Sequence, residues 1–205
     1  MTWRKRIFDL FFASLLVIIL APVLIGLIIY LLVKEGRPLF YVAERMKGPD
    51  TPFNLWKLRT MNVVAEDTGV SGGDKSSRVT RTGAWLRRKR LDEFPQLWNI
   101  LRGDLSFVGP RPPLRQYVEQ FPELYSEVLK SRPGVTGLAT IVYHKHEEAL
   151  LSRCATSQET DDIYSRICVP RKARLDLIYQ RNQNTCYDFD LVFQTIGNLF
   201  TRDRR

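Results

Sequence analysis

The hydrophobic pattern of the chain begins with one long apolar segment near the N-terminus. Leu10 to Val33 is a run of 24 residues without a charged side chain. At about 1.5 Å of rise per residue, a helix of this length can cross a hydrocarbon core of about 30 Å. The run is too long for a signal peptide, and Gly36-Arg37-Pro38 offers no small-residue cleavage site. The pattern predicts a membrane-embedded helix; the alternative, a buried helix of a soluble domain, is disfavoured by so long an uncharged run.

Basic residues flank this segment on both sides. Residues 4–6 (Arg-Lys-Arg) precede it, and Lys34 and Arg37 follow it, so the positive-inside rule places both ends in the cytoplasm. Pro22, near the middle, removes an intrahelical hydrogen bond and bends the helix. Together these features predict a re-entrant helix broken at Pro22, within residues 1–38. A straight span that tolerates the proline remains the alternative.

Shorter periodic segments fill residues 39–205, which we predict to form one domain. Apolar and aromatic groups on either side of Gly48-Pro49-Asp50 predict two short strands. The polar, glycine-bearing stretch 65–77 predicts a mobile loop. Helical patterns follow at 80–102 and 114–131, and another helical region contains Ser157–Asp162. The predicted fold is therefore α+β and mainly helical, with the membrane helix at its N-terminus.

The last predicted helix, from Phe189 to Phe200, has apolar residues at helical spacing on one face. It ends among three arginines, at positions 202, 204 and 205. Two interpretations stay open. The helix either faces the core, or lies in the membrane interface as an amphipathic helix with its arginines on anionic lipid headgroups.

Composition narrows the class of partner. Of the 205 residues, 44% are apolar, which excludes a disordered chain, and the formal net charge is +9, which indicates an anionic partner. The three cysteines include no CxxC pair, which argues against a disulfide framework and fits a reducing compartment.

The densest chemistry lies between residues 87 and 112. A cationic run, Arg87 to Arg90, directly precedes the adjacent carboxylates Asp92 and Glu93. Cations so close should lower the pKa of both carboxyl groups and keep them ionised. An ionised carboxylate can attack phosphorus where arginines or a divalent cation neutralise the phosphate. Neighbouring helical residues point about 100° apart, so different roles are more natural for the two groups than a symmetrical pair.

Further basic residues are candidates for phosphate binding. Two arginines stand in proline-stiffened backbone, where little side-chain order is lost on binding. Two more cations alternate along the second predicted strand and so share one face. For each motif alone, an exposed surface position is the alternative. These candidates are Arg111 between Pro110 and Pro112, Arg132 in Arg132-Pro133-Gly134, and Lys57 with Arg59.

Other polar residues are weaker candidates. His144 and His146 have no further histidine or suitably spaced cysteine with which to form a metal site. Asp176 and Asp188 lie in late helical segments and are kept as further acidic candidates. Taken alone, Asp188 reads as the N-cap of the last helix.

Together these motifs resemble the monotopic phosphoglycosyl transferases, the bacterial sugar transferase family that starts lipid-linked glycan assembly. The resemblance covers about residues 1–140 and 171–200, and the chain is most similar to the minimal, single-domain members. It is carried by the segments KRIFD (5–9), KLRTM (57–61), LDEFPQLWNILRGDLSFVGPRP (91–112), RPGVTG (132–137) and the terminal stretch 188–195.

The resemblance implies a reaction and its substrates. Such enzymes transfer a phospho-sugar from a UDP-sugar to undecaprenyl phosphate and release UMP. By resemblance, Asp92 is the nucleophile of a covalent, ping-pong mechanism. Glu93 assists it at a magnesium-dependent centre, with Mg²⁺ on Asp92 and Glu93 open as a second ligand. Arg111 holds the nucleotide phosphate; Lys57, Arg59, Arg87 and Arg132 contribute positive charge.

The resemblance also places the protein on the cytoplasmic face of the bacterial inner membrane, in contact with anionic lipids and not with nucleic acid, and Pro22 matches the family's helix break. It leaves the oligomeric state open, including a homodimer. Leu138-Ala139-Thr140 departs from the family pattern, and residues 141–170 are longer than in the smallest members, so the donor sugar stays open. A tethered polyanion-binding protein and an inactive scaffold are the rival hypotheses. Neither explains the intact pair of carboxylates beside the cations.

Overall fold

The computed structural model describes residues 2–64, 70 and 73–202. Within these residues the structure is mainly helical with a few short strands, as predicted. The helices are α1 (Trp3–Glu35), α2 (Arg81–Arg88), α3 (Gln96–Arg102), α4 (Arg115–Gln120), α5 (Pro122–Val128), α6 (Leu138–Leu151), α7 (Ser157–Ile163), α8 (Val169–Asn182) and α9 (Thr185–Arg202). The strands are β1 (Phe40–Gly48), β2 (Thr51–Leu58), β3 (Ser106–Val108) and β4 (Gly134–Thr136).

The apolar run forms α1, and one face of this helix lies along the rest of the chain. Its buried positions include Lys5, Asp9 and Ala13 near the start and Leu31 near the end, so the stripe keeps helical spacing. The opposite face is open, and Ile18, for example, is 73% exposed. With a mean hydropathy of 3.1 over an 18-residue window and 6% of that window buried, α1 is long and apolar enough to cross a membrane. A core helix of a soluble domain would be mostly buried, so the structure argues against that alternative.

Pro22 lies inside α1, and the helix continues through it. The predicted break at this residue is therefore not seen, and the re-entrant geometry stays a prediction. Both ends of α1 nevertheless contact the same domain. Near the start, the Arg6 guanidinium donates to the Ile100 and Leu101 carbonyls, with N–O distances of 2.7 and 2.8 Å. At the end, Arg59 Nη2 donates to the Glu35 carbonyl at 2.7 Å.

The two predicted strands form an antiparallel hairpin. Phe40 pairs with Leu58 and Gly48 with Thr51, so the turn falls at Pro49-Asp50, as the glycine-proline signal indicated. A second, parallel pair joins β3 to β4 and was not predicted from the sequence. Three-residue strands carry too short an alternation to be recognised.

The predicted helical stretches divide where the backbone cannot continue. The stretch 80–102 forms α2 and α3, separated by a short 3₁₀ turn, and 114–131 divides into α4 and α5 at Pro122. Ser157–Asp162 lies in α7, as predicted. Of the predicted loop 65–77, residues 65–69 and 71–72 lie outside the described residues, and Gly73–Arg78 forms a 3₁₀ turn.

The last helix combines both sequence interpretations. Leu191 is buried against Val108 and Tyr179, whereas Phe193 is 67% and Ile196 is 44% exposed. One face of α9 therefore packs into the core and a second apolar surface stays open. Contact of that surface with lipid stays a prediction.

Candidate active site

A sharp turn between α2 and α3 carries the two candidate carboxylates. Leu91–Glu93 forms a single 3₁₀ turn, and Arg90 before it has a φ of 56°, in the left-handed region. This conformation is uncommon for a residue with a side chain. The turn buries Asp92, which is 8% exposed. The predicted continuous helix is therefore wrong at this point, and the break brings both carboxylates against β2.

Three cations surround the carboxylate of Glu93. Its Oε1 lies 3.4 Å from Lys57 Nζ and 3.4 Å from Arg111 Nη2, and its Oε2 lies 3.1 Å from Arg90 Nη1. The burial of Glu93 acts to raise its pKa, but the charges of Lys57, Arg111 and Arg90 outweigh that effect and hold the pKa far below its usual range. Glu93 is therefore a permanent anion, as predicted, and its oxygens are already engaged.

Asp92 has a different environment from Glu93. Among the described residues, no side chain donates a hydrogen bond to its carboxylate. Burial, reinforced by the negative charge of Glu93, raises the pKa of Asp92, while Lys57 and Arg87 oppose that rise. The predicted lowering of this pKa is thus wrong, because the burial of Asp92 and the charge of Glu93 outweigh the charges of Lys57 and Arg87. Asp92 is left with oxygens available to a ligand.

Lys57 and Arg59, which the sequence predicted to share one face, contact different parts of the structure. Lys57 reaches Glu93 from β2, and burial lowers the pKa of Lys57. Arg59 lies just after β2 and donates to the carbonyls of Glu35 and Gly36, at 2.7 and 3.3 Å, where it caps the C-terminus of α1. The structure does not bring Arg59 to the carboxylates.

Arg87 and Arg111 approach the carboxylates from two other elements. Arg87 Nε donates to Thr60 Oγ1 at 2.8 Å, and its charge acts on Asp92. The Arg111 side chain is 39% exposed, so the part of the guanidinium that does not contact Glu93 faces an open surface. It can therefore bind an incoming anion while retaining Glu93.

The two proline motifs are locked together through β3 and β4. Gly109 N–H donates to the Thr136 carbonyl at 2.9 Å, and Gly134 N–H donates to the Pro110 carbonyl at 2.8 Å. A side chain on Gly109 would overlap the carbonyl oxygen of Arg132, so this close approach requires glycine. The backbone that carries Arg111, including the buried Pro112, is therefore fixed before any ligand binds.

Arg132 takes part in this packing through its backbone carbonyl, and its side-chain charge lies elsewhere. Its guanidinium lies beside Gly103 and Arg6, near the C-terminus of α3. The structure gives it no contact with Asp92 or Glu93, so its predicted phosphate role has no support from the geometry.

The two late aspartates are both buried, in different surroundings. Asp188 pairs with Lys5 at 2.6 Å and accepts from the Tyr179 hydroxyl at 2.7 Å. It therefore links α9 to α1, and the N-cap contact predicted for it is made by Asn184 instead, whose Oδ1 accepts from Tyr187 N–H at 2.9 Å. Asp176 lines a small polar cavity on α8.

Two cavities lie near the candidate site, one lined by Phe94 just after the carboxylate turn and the other by Arg111. An apolar groove of about 320 Å³ separates α1 from the domain, and a polar cavity of about 60 Å³ lies behind Arg111. Groove residues include Leu24, Leu27 and Ile28 on α1 and Trp56, Phe94 and Trp98 on the domain. Phe94 directly follows Glu93, so the groove opens beside the carboxylates.

Sequence reasoning missed several charged residues near Arg111. Arg90 stood in the cationic run but was not named as the partner of Glu93. Arg45 on β1 and Lys172 on α8 both line the polar cavity. Alternation along β1 could have identified Arg45 as a residue that shares a face with its neighbours two positions away. Nothing in the local pattern around Lys172 distinguishes it from a surface lysine.

The donor set restricts how a metal ion could bind. Within the described residues, no group of three or more His, Cys, Asp or Glu side chains is placed to hold a metal. Mg²⁺ commonly uses one or two carboxylates together with substrate phosphates. Asp92 fits that pattern because no side chain in the described part of the chain donates to its oxygens, whereas Glu93 is engaged by three cations.

Comparison with known proteins gives consistent relationships. The family model described as bacterial sugar transferase matches residues 1–202. A UDP-glucose:undecaprenyl-phosphate glucose-1-phosphate transferase of Caulobacter vibrioides is 31% identical over 205 residues, 98% of this chain and 71% of the relative. One with the same name from Klebsiella pneumoniae is 30% identical over 200 residues, 96% of this chain and 40% of the relative.

A further relative is a UDP-N-acetylgalactosamine-undecaprenyl-phosphate N-acetylgalactosaminephosphotransferase of Aeromonas hydrophila. It is 29% identical over 203 residues, which cover 96% of this chain and 44% of that protein. The chain thus spans less than half the length of the Klebsiella and Aeromonas relatives. The family match extends over all of the described residues, including the carboxylate turn and both proline motifs. The chain therefore belongs to the bacterial sugar transferase family.

Proposed function

We propose that this chain transfers a sugar phosphate from a UDP-sugar to undecaprenyl phosphate, with release of UMP. The names of the relatives from Caulobacter, Klebsiella and Aeromonas indicate this class of donor and acceptor. The observation that carries the proposal is the unequal environment of the two carboxylates. Glu93 is fixed by three cations, whereas no side chain among the described residues donates a hydrogen bond to the neighbouring Asp92 carboxylate.

The first step forms a bond between an Asp92 oxygen and the phosphorus that carries the sugar. The bond from that phosphorus to the bridging oxygen breaks, and its electron pair leaves with UMP, so no proton transfer is required. A carboxylate with few hydrogen bonds is less stabilised in the ground state and is the better nucleophile. In the second step, an oxygen of the acceptor phosphate attacks the same phosphorus and frees the Asp92 carboxylate.

The surrounding cations compensate the charge brought by the substrates. Arg111 is partly exposed beside Glu93, and Arg87 acts on Asp92 from α2. Since Glu93 orients Lys57, Arg90 and Arg111 before substrate binds, little reorganisation is needed at the reacting phosphate. The Asp92 carboxylate would hold Mg²⁺, and the bound ion would further neutralise the substrate phosphates.

The apolar groove supports a lipid as the acceptor. It is lined by α1 on one side and by Trp56, Phe94 and Trp98 on the other, and it opens beside the reacting carboxylates. A long isoprenoid chain could enter it from the membrane while its phosphate reaches Asp92. We expect the domain to sit on the cytoplasmic face of the bacterial inner membrane, where anionic lipids attract its positive charge.

The contacts at both ends of α1 support a re-entrant or surface-embedded topology. Arg6 near the start and Arg59 beyond the end bind α1 to one domain. A helix whose two ends contact the same domain does not place those ends on opposite sides of a bilayer. Single cysteines at Thr2 and Arg37, in a Cys186→Ser background, should react with an impermeant maleimide from the same side. Labelling from opposite sides would contradict this topology.

Isotope exchange tests the covalent step directly. In nanodiscs with Mg²⁺ and no acceptor, the enzyme should exchange labelled UMP into its UDP-sugar, because the first step is reversible. A panel of UDP-sugars identifies the donor by UMP release once undecaprenyl phosphate is added. Asp92→Asn should abolish both exchange and turnover.

The matched control is Asp104→Asn, since Asp104 is also 8% exposed but pairs with Lys47 at 2.7 Å. It should retain the exchange. Turnover by Asp92→Asn at the wild-type rate would remove Asp92 from the nucleophile role. Turnover that needs both substrates present before any UMP appears would exclude the two-step mechanism.

A further inference from the structure

The polar cavity behind Arg111 is bounded by β1, the loop after β3 and helices α5 and α8. Its volume is about 60 Å³, which is enough for a small anion such as a phosphate group. The charged and hydroxyl side chains that line it are Arg45, Arg111, Tyr125, Tyr164, Lys172 and Asp176.

The cations of this cavity differ in how far they are already neutralised. Arg111 contacts Glu93. Lys172 Nζ pairs with Glu147 Oε1 at 2.9 Å and donates to the Tyr164 hydroxyl at 3.2 Å. Arg45 donates to the backbone carbonyl of Glu44 at 3.1 Å, and in the part of the chain that the structure describes it has no carboxylate partner.

Arg45 is thus a partly buried cation held close to a second cation. Burial and the charge of Arg111 both lower the pKa of Arg45, so the arrangement is unfavourable to the protonated form. The backbone keeps the two side chains in this position, because Met46 N–H donates to the Pro113 carbonyl at 3.0 Å and ties β1 to the loop of Arg111. An anion bound between the two guanidinium groups would relieve the repulsion.

We propose that this cavity binds the phosphate of the departing nucleotide, with Arg45 as its main uncommitted cation. This inference rests on the proposed function. As the bond to the leaving group breaks, the nucleoside monophosphate gains one negative charge, while Lys57 and Arg90 remain engaged by Glu93. Arg45 lines the same cavity as Arg111, so a phosphate bound there can take the added charge between the two guanidinium groups.

The acceptor phosphate is the other source of the same chemistry. It would arrive from the apolar groove, which shares no lining residue with the polar cavity. If the cavity binds the nucleotide phosphate, substitution of Arg45 should change the constants of the UDP-sugar and UMP and leave that of the acceptor unchanged. An effect on the Michaelis constant of the acceptor alone would assign the cavity to the lipid phosphate and overturn the proposal.

The test compares wild type with Arg45→Gln and Arg45→Lys, all in nanodiscs. The probes are UMP and uridine, measured by calorimetric titration, and UMP is also used as an inhibitor against the UDP-sugar. UMP affinity should fall at least tenfold in Arg45→Gln and less in Arg45→Lys, while uridine affinity stays within twofold. The Michaelis constant of the UDP-sugar should rise, and that of undecaprenyl phosphate should not.

The matched control is Arg115→Gln. Arg115 lies close in space, pairs with Glu44 on the strand that carries Arg45, and is exposed. It should bind UMP like the wild type. The thermal unfolding temperature of each variant checks the fold, and if Arg45→Gln is unfolded, Arg45→Lys decides alone.

Wild-type UMP affinity in a folded Arg45→Gln enzyme, or an equal loss for uridine and UMP, would overturn the inference. The proposed function would survive either result, because it is tested separately by UMP release from wild type. An absence of UMP release from every UDP-sugar would refute the proposed function instead.

Discussion

Asp176 is a buried carboxyl whose ionisation should make the folded state less stable as the pH rises. It is 7% exposed on α8, and burial, opposed by Lys172, raises its pKa from 3.8 to about 7. Between these two values the unfolded chain releases the proton and the folded chain keeps it. The folded state therefore binds more protons in this range, and its free energy of unfolding falls as the pH increases.

The size of the effect follows from the shift. About three pKa units correspond to about 4 kcal/mol, all of it lost by pH values above about 7. About 2.6 kcal/mol of that loss should fall between pH 5 and pH 8. Asp176→Asn and Asp176→Leu remove the titration but differ in packing, so each should add its own constant offset. Both variants should lose this pH dependence, so the difference in free energy of unfolding between each variant and wild type should change with pH by the same amount.

Denaturant unfolding in detergent micelles, followed by tryptophan fluorescence, measures this difference at pH 5, 6, 7 and 8. The gap between variant and wild type should move in favour of each variant by about 2.6 kcal/mol from pH 5 to pH 8. A gap that stays constant with pH for both variants would refute the reasoning, since it would show that the Asp176 carboxyl titrates alike in the folded and unfolded chains.

Three further changes probe other parts of the structure. Lys5→Met should cost about 3–5 kcal/mol by leaving Asp188 as a buried charge without its cation; a double variant that adds Asp188→Asn should recover part of the unfolding temperature, and no recovery would contradict a direct pairing. Gly109→Ala should abolish folded yield, because its methyl group would overlap the Arg132 carbonyl oxygen; a folded, active variant on size-exclusion chromatography would show that the loop can relax. Trp98→Ala, in the apolar groove, should raise the Michaelis constant of undecaprenyl phosphate and leave that of the UDP-sugar unchanged; an equal rise in both would argue against the groove as the lipid site.

The site depends on the unequal ion pairing of its two adjacent carboxylates, Asp92 and Glu93. A symmetrical pair of adjacent carboxylates would share both cations and protons. Here Glu93 pairs with three cations, and Asp92 pairs with none of the cations in residues 2–64, 70 and 73–202. The result is one strong anion that holds the basic residues in place and one carboxyl that remains free to react. The 3₁₀ turn contributes by placing both side chains against β2, where Glu93 contacts Lys57, Arg90 and Arg111.

The sequence alone was enough to predict those elements that are encoded by a short run of neighbouring residues. The uncharged run predicted α1, and Gly48-Pro49-Asp50 predicted the hairpin turn. Five short segments, of which Leu91 to Pro112 is the longest, carried the family resemblance, which the family match confirms. In each case the relevant information is a run of neighbouring residues, so no knowledge of distant contacts is required.

Only the tertiary structure decided which charges meet. Glu93 takes cations from positions 36 residues before it and 18 residues after it, and Arg59 is diverted to the end of α1 although it is two residues from Lys57. The raised pKa of Asp92 and the uncommitted charge of Arg45 likewise arise from burial and from neighbours distant in sequence. Periodicity fixes which face a side chain occupies, but solvation and ion pairing depend on what the folded chain places opposite that face.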